Sequence, residues 1–155
     1  MSGKLASGLT FLREFASRLS VRRDTAPIDS VAALCDFVST RAAFVAQKKL
    51  YGYLKARMGT RYPSMFEDEV FVASVNIAKM HVFVAALSDL AVHAGVRVGA
   101  EAALDEAGRS ALASTCFRAG LADNAAAMRD EASMVDWLAA FEARLEGVHW
   151  ANLEA

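Results

Sequence analysis

The chain has 155 residues, a mass near 16.6 kDa and a formal net charge of −1. Hydrophobic residues make up 55% of the chain, charged residues make up 23%, and the mean hydropathy is +0.25. This composition excludes a disordered chain, and the small net charge excludes a molecule that is a polycation overall. Two widely separated cysteines exclude a disulfide-dense scaffold and a zinc ribbon. We therefore expect one globular domain over residues 1–155.

Helix is the structure that the composition favours along the whole chain. By direct count 32 residues are alanine, the strongest helix former, and only two are proline. No apolar and polar alternation of the kind that marks strands is long enough to predict a sheet. We predict an all-α fold, a helical bundle of about five helices built on a long antiparallel helical hairpin.

The first predicted helix covers residues 4–20, with leucines at helical spacing and an arginine-rich polar side. Residues 1–24 are therefore a candidate separable amphipathic helix. Three interpretations stay open: a first helix that packs on the core, an anchor on a membrane surface, and a cleaved targeting segment.

The first helix of the hairpin is predicted over Val31–Met58. Asp29 or Ser30 precedes it as an N-cap, because their side chains accept hydrogen bonds from the first free backbone amides. Gly59 follows it directly, where a residue with a left-handed backbone ends many helices.

The second helix of the hairpin is predicted to begin at a capping box, in which Ser64 and Glu67 fit the pattern S-x-x-E. It should end near His93 or Ala94, with Gly95 as its terminator. Apolar residues lie on nearly all of its sides, so we expect neighbours to cover it. Asn76, Lys79, His81 and Asp89 lie within positions 70–90 and argue against a membrane span.

Shorter helices are predicted for the last third. One covers residues 100–119, with Gly120 as its cap and a weak point at Gly108, and another runs from Ser133 to a stop at Gly147. Their alanine-rich faces bury little area per residue. We therefore expect a homodimer, in which a second copy supplies the missing cover.

Charge is unevenly distributed along the chain. Residues 1–62 hold 11 basic and 4 acidic residues, a net charge of +7, whereas residues 63–155 hold 6 and 14, a net charge of −8. No acidic residue occurs between Asp36 and Glu67. The candidate residues for binding an anion or a partner are the cations of this stretch: Arg41, Lys48, Lys55, Arg57 and Arg61.

Arg41, Lys48 and Lys55 are spaced by seven residues, which places them on one side of a helix. Such a row can bind an anionic membrane surface or an acidic protein partner. It can equally be a solvated face, or pair with the acidic C-terminal helices in the fold or in a dimer. Nucleic acid is disfavoured, because no nucleic-acid-binding motif is present.

Catalytic signatures are missing from the sequence. No G-x-S-x-G motif, nucleotide-binding motif or haem motif occurs, so we predict no catalytic residue, no metal site and no cofactor. Asp89 and His93 have the spacing of an orienting pair but lack an evident nucleophile, and Glu146 with His149 forms a single Glu-x-x-His match. A third alternative is a carrier of a hydrophobic ligand inside the bundle.

The segments FVSTRAAFVA at residues 37–46 and YGYLKARMGTRYPSMFEDEVFVASVNIAKMHVF at residues 51–83 resemble a family of small all-helical bacterial proteins. That family is functionally uncharacterised and is sometimes labelled "esterase". The resemblance covers about the middle third of the chain and carries no catalytic motif that transfers residue by residue. It implies a bacterial, cytoplasmic setting and directs attention to the turn at residues 57–69.

The residues together favour a non-enzymatic interaction or scaffold protein, with a basic helix face and an apolar dimer or partner surface. The location expected is cytoplasmic or membrane-peripheral. A small hydrolase, as the "esterase" label implies, is the principal alternative.

Overall fold

A computed structural model of the chain describes residues 27–127 and 131–153, which are helical apart from short connections. The helices are α1 (Val31–Met58), the single turn α2 (Tyr62–Met65), α3 (Glu69–Glu101), α4 (Glu106–Asp123) and α5 (Glu131–Glu146). Three short 3-10 turns accompany them, at Gly59–Arg61, Ala125–Ala127 and Trp150–Leu153. Within these ranges no strand occurs, and the predicted helical bundle is confirmed. The helix predicted over residues 4–20, and with it the separable segment 1–24, lies outside the described residues.

The bounds of α1 agree with the prediction. The Ser30 side chain accepts a hydrogen bond from the backbone N–H of Ala33 at 3.2 Å and so caps the helix. Gly59 ends it with a φ of +55°, a value that residues with a Cβ seldom adopt. A short turn then brings the chain back, and α3 packs along α1 as the second helix of the hairpin.

The start of α3 differs from the prediction. Asp68 is its N-cap, and one carboxylate oxygen accepts hydrogen bonds from the amides of Val70 at 2.8 Å and Phe71 at 3.2 Å. Ser64 instead lies inside the single turn α2, where its hydroxyl donates to the carbonyl oxygen of Arg61. The predicted capping box is therefore wrong, because residues 59–65 already form helical turns of their own before α3 begins.

The end of α3 also differs, since the helix continues past Gly95 to Glu101. Gly95 is buried at a close contact between helices. A Cβ at this position would lie 3.0 Å from the carbonyl oxygen of Arg109 and 3.0 Å from the ring of Trp150. The glycine therefore permits close packing and does not end the helix.

The predicted bounds of α4 need a similar correction. The helix begins at residue 106, where the Asp105 carboxylate accepts the amide hydrogen of Gly108 at 2.8 Å. Gly108 thus belongs to a capped first turn and not to a break in the helix. Gly120 lies inside α4 and is buried against Leu87 of α3, so the helix ends only at Asp123. Gly120, like Gly95, therefore permits close packing and does not end its helix.

The last helix, α5, starts at residue 131, two positions before the predicted Ser133, and ends directly before Gly147 as predicted. Its Phe141 ring stacks on Phe117 of α4 with ring centroids 4.0 Å apart. Trp150 follows the helix and is buried, and its indole N–H donates to the Ser110 hydroxyl at 3.1 Å. These contacts close the bundle over α4.

The core occupies one half of the hairpin. Its buried residues come from positions 34–46 of α1, 80–96 of α3 and 113–121 of α4, with three more at positions 141, 145 and 150. None comes from positions 47–79, where Leu54 and Val75 are buried apart from this cluster. We call residues 31–46 together with 80–101 the covered half, and residues 47–79 the arm.

One described helix, α3, is long and apolar enough to cross a membrane by length and composition. That finding is weak evidence, because the core helix of a soluble protein passes the same test. The most apolar stretch of 18 residues in α3 has a mean hydropathy of 1.8. Only 28% of this stretch is buried inside the bundle. The complete cover that the sequence predicts for this helix is therefore not supplied by the described part of one chain.

Candidate anion-binding surface

Aromatic and cationic side chains alternate along one side of α1. Their spacing of four, three, four, three and four residues keeps them within a narrow angle around the helix axis. We call this set the basic stripe; its members are Phe37, Arg41, Phe44, Lys48, Tyr51 and Lys55. Lys48 and Lys55 are exposed, and Arg41 is half-buried. The stripe begins in the covered half and continues into the arm.

Rings of the stripe lie beneath two of its cations. The Arg41 guanidinium carbon lies 5.0 Å from the centroid of the Phe37 ring, one helical turn earlier. The Lys48 ammonium nitrogen lies 6.0 Å from the centroid of the Phe44 ring. Each contact stabilises its cation by about 0.5–1 kcal/mol at an exposed site. The rings therefore restrict where the charges point without neutralising them.

No acidic side chain of the described residues pairs with the cations of the stripe. The ion pairs of the C-terminal helices join Arg118 to Glu142 and Arg144 to Asp89, both at 2.8 Å. The acid of α5 thus pairs with a cation of α4, and the acid of α3 pairs with a cation of α5. Within the described chain, the stripe does not make the internal pairing with the acidic C-terminal helices that the sequence left open.

Of the five candidate cations, the structure brings three together. Arg57 follows Lys55 by two positions, about 200° further around α1, and its guanidinium lies 5.7 Å from the centroid of the Tyr53 ring on another side of the helix. Arg61 lies beyond the helix, in the 3-10 turn, and is exposed. Arg41, Lys48 and Lys55 therefore form one surface, and Arg57 and Arg61 do not belong to it.

An aromatic cluster at the tip of the arm was missed by the sequence analysis. The Phe66 ring contacts those of Tyr51, Tyr62 and Phe71, with centroids 6.1, 5.2 and 5.5 Å away. Burial, with a smaller effect from Tyr62, raises the pKa of Tyr51 to about 12, so its hydroxyl stays protonated at neutral pH. Five aromatic residues within positions 51–71, four of which form the cluster, were the signal for it. It ties the end of the stripe to the start of α3.

The predicted pair of Asp89 and His93 is not formed. Asp89 binds Arg144, and the His93 side chain is exposed. The His81 ring makes an edge contact with Trp137, with centroids 5.7 Å apart. In residues 27–127 and 131–153, no histidine donates to or accepts from a serine hydroxyl, and no three potential metal ligands converge. The described residues therefore place no histidine beside a serine hydroxyl, and the hydrolase remains a prediction from the resemblance.

An open depression of about 390 Å³ lies between α4 and α5 and contains two of the serines. There Ser114 donates to Glu142 at 2.7 Å, and Arg118 donates to the same carboxylate oxygen at 2.8 Å. The Ser114 hydrogen bond, followed by that of Arg118, lowers the pKa of Glu142. The carboxylate is therefore a weak base whose hydrogen bonds tie α4 to α5.

Comparison with known protein families, with curated proteins and with solved structures finds no match to this chain.

Proposed function

We propose that this protein is a non-enzymatic, membrane-peripheral interaction protein whose basic stripe binds an anionic lipid surface. The observation that carries the proposal is a row of three cations on one side of α1 that no acid of the described chain neutralises. A cation near an anionic bilayer contributes about 1 kcal/mol of binding free energy. Arg41, Lys48 and Lys55 on one rigid helix therefore supply about 3 kcal/mol together.

The interleaved aromatic residues favour a lipid surface over an acidic protein or a nucleic acid. Interfacial helices place aromatic rings at the level of the headgroups while lysine and arginine reach the phosphates. Phe37 is 41% exposed, and Phe44 and Tyr51 are half-buried, so rings and charges face the same side. We propose a cytoplasmic protein that attaches to a membrane reversibly.

The test is binding to vesicles of neutral phosphatidylcholine with and without about a third of phosphatidylserine. We expect the wild-type protein to bind only the anionic vesicles and to dissociate as salt rises. The variant Arg41→Glu, Lys48→Glu, Lys55→Glu should lose at least about 100-fold in affinity, because reversal removes three attractions and adds three repulsions.

The matched control reverses three cations outside the stripe, in the variant Lys49→Glu, Arg57→Glu, Arg97→Glu. This control changes the net charge by the same amount as the stripe variant does, and all three side chains are exposed. Full binding by the stripe variant, or equal losses in both variants, contradicts the assigned surface. Binding of an acidic protein or of nucleic acid with no binding to anionic vesicles contradicts the assigned partner.

The homodimer is proposed as well, through the outer face of α3. This face is an exposed stripe without a lysine, arginine or acidic residue; its members are Val70, Ser74, Ile77, His81 and Ala85. Val70 is 76% exposed and Ile77 is 42% exposed. Because the face carries no formal charge when His81 is neutral, two copies related by a twofold axis can meet there without opposing like charges.

Sedimentation equilibrium tests the dimer. Ile77→Glu should shift the protein to a monomer, because it places two carboxylates at the proposed interface. Val135→Glu is the control, since Val135 is 63% exposed on α5 and outside the face. A monomeric wild-type protein at tens of micromolar, or a dimer that survives Ile77→Glu, contradicts this interface.

A further inference from the structure

Two thiols meet at the interface between α1 and α4. The sulfur atoms of Cys35 and Cys116 lie 3.3 Å apart, although 81 positions separate them in sequence. Cys35 is 7% exposed and Cys116 is 0% exposed. A disulfide bond joins sulfurs about 2.05 Å apart, so the two atoms need to approach by roughly 1.3 Å. Side-chain rotation with a small helix shift covers such a distance.

The surroundings of the pair favour a thiol–thiol reaction over a metal site. No third histidine, cysteine or acidic residue of the described chain converges on the two sulfurs. Burial, and then the hydrogen bond with Cys35, raise the pKa of Cys116 to about 12. Cys116 therefore stays a thiol while the bundle is closed, and its reaction has to follow a first step elsewhere.

Cys35 is the better placed of the two for that first step. It lies in the second turn of α1, close to the helix start, and residues 27–32 before it are all exposed. Helix ends open more readily than helix centres, and such local opening exposes buried side chains. Cys116 lies in the middle of α4, away from both ends of that helix.

We propose that Cys35 and Cys116 form a site of reversible disulfide formation that links α1 to α4, with a low-molecular-weight disulfide as the oxidant. The Cys35 thiolate attacks one sulfur of the oxidant, and a mixed disulfide forms as the first small thiolate leaves. Cys116 then loses its proton and attacks the Cys35 sulfur, which releases the second small thiolate. Two protein thiols are oxidised, and the small disulfide is reduced to two thiols.

The new bond fastens α4 to the covered half and leaves the arm and the outer face of α3 as they are. It closes a loop of about 80 residues in the unfolded chain, which lowers the conformational entropy of that state. The oxidised protein should therefore unfold at a temperature about 5–10 °C higher than the reduced protein. The inference is independent of the proposed lipid binding, because no residue of the basic stripe takes part.

The experiment incubates the full chain with oxidised and reduced glutathione at graded ratios. Intact mass spectrometry and peptide mapping then follow the two cysteines. We expect a product lighter by two hydrogens, a peptide pair joined through Cys35 and Cys116, and a higher unfolding temperature that dithiothreitol reverses. Cys116→Ala should stop at a glutathione adduct on Cys35, and Cys35→Ala should give neither product.

Two results overturn the proposal. One is that both thiols stay free at ratios that oxidise the same protein once urea unfolds it. The other is that only bonds between chains form. Circular dichroism of the two alanine variants checks that each still folds; if neither does, mapping of the wild-type protein alone still decides between the internal bond and its absence.

Discussion

The covered half and the arm belong to the same two helices, yet different neighbours surround them. In the covered half, α4 packs against α1 and α3 together, and side chains such as Leu87 and Phe117 are almost completely buried. In the arm, α1 and α3 have mainly each other and the aromatic cluster around Phe66. Both regions contain a segment of α1 and a segment of α3. Packing against α4 therefore distinguishes the covered half from the arm.

The largest difference is expected from removing one aromatic ring in each region. Phe117→Ala should cost about 3–5 kcal/mol of unfolding free energy, because Phe117 is 1% exposed and stacks on Phe141. Phe66→Ala in the arm should cost about 1–2 kcal/mol, because that ring is only half-buried. Urea unfolding followed by circular dichroism measures both, with an unchanged slope as the check on two-state behaviour. Equal losses of unfolding free energy in the two variants would contradict the difference in packing between the covered half and the arm.

A smaller effect, of opposite sign in the two regions, is expected from adding one methyl group inside a helix. Gly120→Ala should destabilise the protein by about 1–3 kcal/mol, because the new Cβ would lie 2.6 Å from Leu87 Cδ1. Gly52→Ala in the arm should stabilise it by up to about 1 kcal/mol, since no atom lies within 4 Å and alanine favours helix. Thermal unfolding of the two variants compares them directly. A shift in the same direction for both contradicts the difference in packing.

The smallest effect is expected at the polar edge of the covered half. Glu142→Gln should cost less than about 1 kcal/mol at pH 7, because the ion pair with Arg118 is partly exposed. The pKa of Glu142 is lowered in the folded state, so its contribution is present above the unfolded pKa of the carboxyl. It is lost as the pH falls through the lowered folded pKa. The stability gap between wild type and variant, measured by urea unfolding at several pH values, should therefore close on acidification; a widening gap would contradict the assigned partners.

Local signals in the sequence were sufficient for α1 and for the end of α5. Ser30, Gly59 and Gly147 lie where capping and helix termination favour these residue types, and the structure uses them so. The same reasoning failed at Gly95 and Gly120, because a glycine that ends a helix and one that admits a neighbouring helix look alike in sequence. Only the positions of Trp150 and Leu87 distinguish the two cases.

The arrangement of the candidate cations follows in part from their spacing in the sequence. The seven-residue spacing identified Arg41, Lys48 and Lys55 as one face, and α1 is a single helix of 28 residues that contains all three. Arg57 and Arg61 were grouped with them by charge alone, which ignores their direction around the helix. The start of α3 was misplaced for a related reason, since Ser64 and Asp68 both match an N-cap and only the course of the turn selects Asp68.

Composition and helical periodicity were enough to establish an all-α bundle with two long helices, because both act over a few residues of the chain. The meeting of Cys35 with Cys116, the aromatic cluster of the arm and the uneven cover of α3 depend on residues far apart in sequence. Such contacts form when whole helices pack against one another. The periodicity within one helix does not determine which other helix it packs against. The order of residues in the basic stripe is set by the local sequence. That its cations form no ion pair within residues 27–127 and 131–153 depends on the packing of the helices.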